Sequence, residues 1–567
     1  MRGKTEPQDS TGLTPGRTRA ILAVVSLALM TVVSAVSGLN VALPDLAKET
    51  GASQTQMTWI VDSYTVVFAG LLLFAGALGD RFGRKHLLSV GLVVFGAAAA
   101  AGFVIDDPGQ LIVVRAVMGF GAAGIMPTTL SVITTSFPPA ERAKAVGVWV
   151  GVVGGGAVLG LFATGLLLEW FDWNSFFALN VCLAVLALVG TLAVVPNSVD
   201  PDAHALDVVG AVLSLVTVAG VVLGIIEGPE RGWTDPATAG ALVLGVAAGV
   251  AFVLWELRCE HPLLDPRLFR LRGFSAGTLT ITVQFFASFG FFFTILQYLQ
   301  FVDDRSALMA AVALLPLPFV MIPLARNAPH LAERVGFRRV APLGLVLTAG
   351  GLALLSTTAV DLVYWWFAVG LVVFAAGMAL AGTPSTTAIT ESLPHAKQGV
   401  ASAVNDTARE LGSALGIAIL GSALNQVYRN GMADVITRLP QQAQEAALSS
   451  IAFVASPQVQ QAGDAATPVV EGAKAAFVDG VSAALLIAAA TAAVAAIAVF
   501  LLAPSRIQAP DRAPSGADAQ VPPGDVELEG EAPQQRQGEA DDRARVSLDR
   551  VDVRTPEPVD GEATRHV

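Results

Sequence analysis

Fourteen runs of about 20 predominantly apolar residues, separated by short polar turns, limit this chain more than any other feature. They lie near 20–43, 57–78, 87–105, 110–130, 145–167, 173–195, 207–226, 237–257, 274–299, 306–326, 338–358, 361–384, 399–422 and 479–503. As a helix, a run of that length rises about 30 Å, the thickness of bilayer hydrocarbon. Inside hydrocarbon each backbone N–H and C=O must find its partner within the segment, which a helix provides. Composition agrees, with 54% of residues hydrophobic, 14% charged and a mean hydropathy of +0.63. Soluble chains carry about 25% charged residues, so a water-soluble fold could not cover this much apolar surface. A polytopic all-α membrane protein is the expectation. A signal peptide competes for 20–43, but its apolar core is only about 7–15 residues long.

Loop charge orients the helices. One side holds the N-terminal Arg and Lys residues, Arg81/Arg84/Lys85, Arg142/Lys144, Arg267/Arg270/Arg272, Arg334/Arg338/Arg339 and Lys397. The other side holds Asp106, Asp107, Glu169, Asp172, Asp303 and Asp304, with only Lys48, Arg231 and Arg305 against them. Lys and Arg stay with the cytoplasm, and an even number of spans puts both termini there. About half of the net charge of −12 comes from residues 511–567, so acidity does not argue for a cationic substrate.

The stretch Gly76-Ala77-Leu78-Gly79-Asp80-Arg81-Phe82-Gly83-Arg84-Lys85-His86 packs an acid, three cations and three glycines into a turn between spans two and three. It has an echo at residues 329–339, where Leu78, Asp80, Arg81, Gly83 and Lys85 align with Leu331, Glu333, Arg334, Gly336 and Arg338. A second echo links Met126-Pro127-Thr128-Thr129 with Thr383-Pro384-Ser385-Thr386 at nearly the same offset. Transporter folds are commonly built from internal repeats. The expected architecture is therefore two pseudo-repeated six-helix bundles, 20–196 and 261–503, with an inserted transmembrane hairpin at 197–260. Residues 1–19 form a cytoplasmic lead, 425–478 an external loop with helical spacing around 443–454, and 504–567 a disordered acidic tail.

Gly76-x-Leu78-x-Asp80-Arg81-x-Gly83-Arg84-Lys85 resembles the loop 2–3 signature of the major facilitator superfamily. Arg115-x-x-Met118-Gly119-x-Gly121 resembles its fourth-span arginine motif, with Met118 where glutamine is common. Fourteen spans, Asn40-Val41-Ala42-Leu43-Pro44 and the run from Arg409 to Gly416 are similar to the fourteen-span drug–proton antiporter family. Two departures stand out: Ala35 replaces an acid common in span one, and Ala157 replaces the proline that usually follows the span-five glycines. The first argues against dication recognition and the second weakens antiport. The resemblance implies alternating-access efflux of hydrophobic or amphiphilic drugs, or a natural product, driven by protons across a bacterial inner membrane. A nutrient or lipid-like metabolite transporter and a non-transporting receptor or scaffold are the competing readings.

Ionisable groups inside spans cost about 2.5–3.5 kcal/mol each, so a function is the default hypothesis for Asp62, Arg115, Asp406, Arg409 and Glu410. Arg115 is read as a fixed charge favouring the ionised form of a nearby acid, or as a pin for backbone carbonyls. Asp406, Arg409 and Glu410 share a helix face at i, i+3 and i+4; Arg409 can neutralise one acid and leave the other to trade protons. Asp62, a turn below the outer surface, is read as a coupling acid or a wetted vestibule residue. Gly147, Gly151 and Gly155 are read as a helix-packing face. The dense span-nine aromatics, among them Phe285, Phe289 and Phe292, face lipid, pack, or line an apolar pocket. Gly76, Asp80, Arg81, Gly83, Arg84, Lys85, Glu333 and Arg334 are read as a cytoplasmic gate, Asp80 and Glu333 bracing helix ends in the outward-open state. No P-loop, catalytic triad or metal-ligand spacing is present, so the expected partners are substrate, protons and lipid. No enzyme activity, cofactor, metal or nucleic acid is expected, and the chain is read as a monomer.

Overall fold

The computed structural model describes residues 15–199, 206–394 and 398–505. The expected N-terminal lead before residue 15, Lys397 and the acidic tail from residue 506 lie outside the described residues. The first bundle contains α1 (Pro15–Thr50), α2 (Gln54–Phe82), α3 (Arg84–Gly102), α4 (Pro108–Ser136), α5 (Pro139–Leu167) and α6 (Ser175–Val194). A hairpin of α7 (Val208–Arg231) and α8 (Pro236–Glu256) follows. The second bundle contains α9 (Arg272–Phe301), α10 (Ala307–Ala313), α11 (Pro316–Val335), α12 (Phe337–Leu355), α13 (Tyr364–Glu391) and α14 (Gln398–Gly431). After the short α15 (Gln441–Ser449) and α16 (Pro457–Ala462), it closes with α17 (Thr467–Leu502). Thirteen helices among the described residues are long and apolar enough to cross a membrane, and the 29-residue α5 takes the place of the remaining expected span.

The helix ends follow from sequence. Ser53 caps α2 reciprocally, its hydroxyl accepting from the Gln56 amide at 3.1 Å while the Gln56 side chain accepts from the Ser53 N–H at 2.9 Å. Asp107 and Asp235 cap α4 and α8, each followed by a proline at the first helical position. One expected span, 306–326, is a broken helix. Pro316 lacks an N–H to continue the ladder, and before it the turn tightens, the Leu314 and Leu315 N–H groups donating to the Ala311 and Val312 carbonyls, so α10 stops at Ala313 and α11 starts anew. α11 then continues through Val335, nine residues beyond the apolar window.

The two bundles repeat one packing scheme. α1 packs against α4, α5 and α6, as α9 packs against α13, α14 and α17. α4 packs against α2 and α3, as α13 packs against α11 and α12; α3 meets α6 as α12 meets α17. The repeated turns match at the backbone: Gly83 has φ +104° and Gly336 φ +100°. Their cations match too. Lys85 Nζ donates to the Leu192 carbonyl at the end of α6 at 2.9 Å, and Arg338 Nε to the Phe500 carbonyl at the end of α17 at 2.9 Å. Arg17 and Arg272 reach the same two helix ends, at Val194 and Leu502. Each pair of cations thus satisfies carbonyls that the helix leaves free, at the negative end of its dipole.

The end of the molecule that carries these turns is the basic end; the other, with Asp106, Asp172, Asp303 and Asp304, is the acidic end. The expected external loop 425–478 is largely helical. α14 runs through Gly431, α17 starts at Thr467, and between them α15 presents Ala447, whose carbonyl accepts from the Tyr428 hydroxyl at 2.8 Å. Ile451 and Ala447 are buried in the main core, making this segment an ordered cap at the acidic end.

Candidate functional site

The bundles touch at the acidic end. Asn425 Nδ2 of α14 donates to Thr55 Oγ1 of α2 at 3.1 Å, and Gln300 Nε2 of α9 to the Val41 carbonyl of α1 at 3.1 Å. Ser306, just before α10, donates to Glu169 Oε1 after α5 at 2.6 Å. A methyl built on Gly165 of α5 would meet Leu308 Cα at 3.2 Å, so α5 and α10 also meet there. Toward the basic end the same α5 carries Gly147, Gly151 and Gly155, and a methyl on any of them would meet nothing within 4 Å. In this arrangement the three glycines stand at no helix contact. The close α1–α5 packing falls to Gly160 instead, where a methyl would meet Ser34 Cα at 2.7 Å. With the hydrogen bonds between α1, α2 or α5 and the second bundle gathered at the acidic end and the basic-end half of α5 in open space, the bundles part toward the basic end, leaving a gap.

One lateral seam of that gap is filled. α7 packs against both α2 and α14. Trp59 Nε1 of α2 donates to Glu227 Oε1 of α7 at 2.8 Å, and Ser422 of α14 donates to the Ile225 carbonyl of α7 at 2.7 Å. Val66, Val218, Val222, Ile226, Ala414 and Ala418 form a common apolar cluster of the three helices. The hairpin is shared by the two bundles rather than appended to either.

Arg115 lies on α4 with 0% exposure. Its Nε donates to the Ile60 carbonyl of α2 at 3.0 Å, and its guanidinium carbon lies 4.4 Å from the Tyr64 ring centroid. The Tyr64 hydroxyl donates to the Val32 carbonyl of α1 at 3.3 Å. Arg115 thus ties α4 to α2 and, through Tyr64, to α1, while its two terminal nitrogens have no hydrogen-bond partner. No acid forms an ion pair with it among the described residues, and in this conformation its hydrogen-bond partner is the Ile60 carbonyl. A desolvated guanidinium over an aromatic face is worth about 2 kcal/mol, which helps to keep a lone charge buried there.

Asp62 is 0% exposed, and neither carboxylate oxygen has a hydrogen-bond partner of ordinary geometry. Thr65, three residues on, donates its hydroxyl proton to the Val61 carbonyl at 3.3 Å. Asp62 lies between Thr58 and Val66 on the α2 face that meets α14 and α7. The wetted-vestibule reading is thereby corrected: with the acidic end closed, this acid is enclosed in the seam.

Asp406, Arg409 and Glu410 share α14, with Asp406 buried and Arg409 and Glu410 half-buried. No two of them form an ion pair within 4 Å. The expectation that Arg409 neutralises one acid is corrected. Its guanidinium lies 5.3 Å from the Phe285 ring of α9, and its Nε is unpartnered. Asp406 Oδ1 accepts from the Asn405 amide at 3.4 Å, and Asn405 Oδ1 from the Thr386 hydroxyl of α13 at 3.2 Å. Of the α9 aromatics, Phe286, Phe291, Phe293 and Tyr298 are buried, whereas Phe285, Phe289 and Phe292 form a half-buried stripe at i, i+4 and i+7. Phe285 and Phe289 stack at 5.8 Å.

At the basic end, Asp80 pairs with Arg84 of its own turn at 2.7 Å, and the Arg84 N–H donates to the Ser198 carbonyl. Glu333 and Arg334 are exposed and form no ion pair among the described residues. Neither acid of the repeated turn bridges the bundles in this basic-end-open arrangement. Gly76 sits close to α4, where a methyl would meet Pro127 at 3.7 Å, and Arg81 lies over the neighbouring Phe82 ring.

Sequence reading missed the buried amides. Gln284 donates to the Met378 carbonyl of α13 at 2.9 Å, while Gln300 and Asn425 join the bundles. Their signal was a strongly polar side chain inside an otherwise apolar run. It also missed Arg326, which the longer α11 places at mid-helix. Among the described residues no group of three or more His, Cys, Asp or Glu could hold a metal ion.

A family model described as the Major Facilitator Superfamily matches residues 25–417. The chain is 33% identical over 485 residues to the multidrug efflux pump LfrA of Mycolicibacterium smegmatis, covering 85% of this chain and 96% of the relative. It is 35% identical over 407 residues to the puromycin resistance protein pur8 of Streptomyces alboniger, covering 71% and 80%. It is 30% identical over 497 residues to the tetracenomycin C resistance and export protein of Streptomyces glaucescens, covering 86% and 92%. Among solved structures, an inward-facing, occupied bacterial homologue of the human lysosomal transporter Spinster shares the fold at a TM-score of 0.61 and 15% identity, over 87% of this chain and 97% of that one. With two six-helix bundles, a matched pair of basic turns and a family match over most of its length, this multi-pass membrane protein belongs to the Major Facilitator Superfamily of transporters.

Proposed function

We propose that the chain exports amphiphilic compounds in exchange for protons across a bacterial inner membrane, by alternating access, with its basic end in the cytoplasm. The three relatives described above are named for efflux or resistance, and the loop cations fit the positive-inside rule. The observation that carries the reading is the set of intramembrane acids without ion-pair partners, distributed between the two sides of the gap. Glu410, half-buried on α14, exchanges its proton with the cytoplasm while the basic end is open. Asp62 is enclosed here, behind the Thr55–Asn425 contact and the close approach of Thr58 to Gly421. Parting the acidic end breaks both contacts and wets Asp62 from outside. Asp406, one turn from Glu410, is the second acid of the α14 site, and Arg409 moves between Phe285 and whichever acid is ionised. Asp80 and Glu333 engage the opposite bundle only when the basic end closes. Residues 20–196, 197–260 and 261–503 serve as the moving parts.

Everted vesicles test this directly. Adding substrate to energised vesicles should release protons from the lumen, and Glu410→Gln should abolish that release while the protein still folds and binds. Efflux that persists with Glu410→Gln, Asp406→Asn and Asp62→Asn alike would remove coupling from all three acids.

A further inference from the structure

We propose that Arg326 is a substrate-recognition residue of the second bundle, taking the anionic or acidic-oxygen end of an amphiphile; this rests on the exporter reading above. Arg326 lies midway along α11, nine residues from Val335, which puts its Cα roughly 14 Å from the basic end of that helix. Leu324, Ala328 and Ala332 pack α11 against Val340 and Leu380 of α12 and α13. A residue two positions from both Leu324 and Ala328 projects to the opposite side of the helix. Arg326 is accordingly exposed, and among the described residues its guanidinium makes no hydrogen bond, ion pair or ring contact. A charge at this depth facing acyl chains costs about 2.5–3.5 kcal/mol, even with snorkelling. Below the exposed Phe319 and Ile322, Arg326 begins an exposed polar stripe with His330 and Glu333 at i+4 and i+7 that runs to the basic end, so this part of the face borders water, and the gap between the bundles is the space it lines. Across that gap the basic-end half of α5 leaves room at Gly147, Gly151 and Gly155.

The chemistry of the group then selects its ligand. A guanidinium cannot lose its proton, and it presents five donors in a planar fork matched to carboxylate, sulfonate or phenolate oxygens. Asn327 beside it is also exposed, its amide donating to the Pro323 carbonyl at 2.9 Å. The mid-span acids near the gap stand on α14 and α2, and none of them neutralises Arg326. The half-buried stripe of Phe285, Phe289 and Phe292 supplies an apolar surface on the same bundle for the body of the ligand.

A matched pair of dyes isolates the charge: 1-anilinonaphthalene-8-sulfonate and N-phenyl-1-naphthylamine share one ring skeleton and differ by the sulfonate. Binding to the purified full-length protein is read by fluorescence, and transport by uptake into everted vesicles. Arg326→Gln should weaken sulfonate-dye binding roughly tenfold or more and leave the neutral dye within about twofold, with Arg326→Lys in between. Equal losses for both dyes, or no loss for either, would overturn the assignment. Wild-type protein that binds the sulfonate dye through Arg326 but transports neither dye would sink the exporter reading instead.

Discussion

Gly83 and Gly336 occupy a backbone region that side chains rarely enter, with φ +104° and +100°. A Cβ at Gly83 would meet Asn197 Oδ1 at 2.6 Å, but Asn197 is exposed and can turn away, so backbone strain decides the cost. Gly83→Ala should destabilise by about 1–3 kcal/mol. Gly232→Ala, at φ +97° with nothing within 4 Å, should cost a similar amount without any clash. Gly151→Ala, inside α5 and facing open space, should instead stabilise by about 0.5–1 kcal/mol through helix propensity. Melting temperatures in detergent would order the three. The charged residues of the spans were legible one by one, because a lone charge stands out in an apolar run. Their partners were not. Arg115 settles on the Ile60 carbonyl and the Tyr64 ring, and Arg409 on Phe285, and only packing across helices brings those groups together.

Element boundaries divide along the same line. An apolar window ends at its first charge, but a helix ends where its backbone hydrogen bonds do. The apolar window 306–326 thus stops at Arg326, while the helix that carries it runs through Val335. The echo of the basic turn was legible because its elements are local: a glycine with positive φ and a cation within reach of a helix end. The position of α7 was not legible, since apolar periodicity does not say which neighbours a buried face has. Its grip on the first bundle rests on the Trp59–Glu227 hydrogen bond and the shared apolar cluster. Trp59→Phe removes the indole donor and keeps most of the ring. It should cost about 1 kcal/mol of stability, because Glu227 Oε1 loses its donor while Oε2 keeps Arg231 at 2.6 Å. A double-mutant cycle with Glu227→Gln would show whether the loss belongs to this pair.

At the scale of the whole molecule, the acidic-end contacts hold the bundles in the arrangement described. Thr55→Cys with Asn425→Cys would replace a 3.1 Å side-chain contact by a covalent one. Oxidation should stop transport while substrate still binds from the basic end, and reduction should restore it; turnover that continues under oxidation would show that this end need not open. A cysteine at Gly151 should stay reactive to water-soluble reagents throughout. One consequence reaches beyond the transport cycle. Two bundles related by a pseudo-twofold should offer two equivalent flanks to the bilayer, but α7 occupies only one of them. The molecule therefore has a handed outline in the membrane plane, with α7 filling the seam between the bundles on one flank only. A lipid or a neighbouring membrane protein can therefore tell one flank from the other.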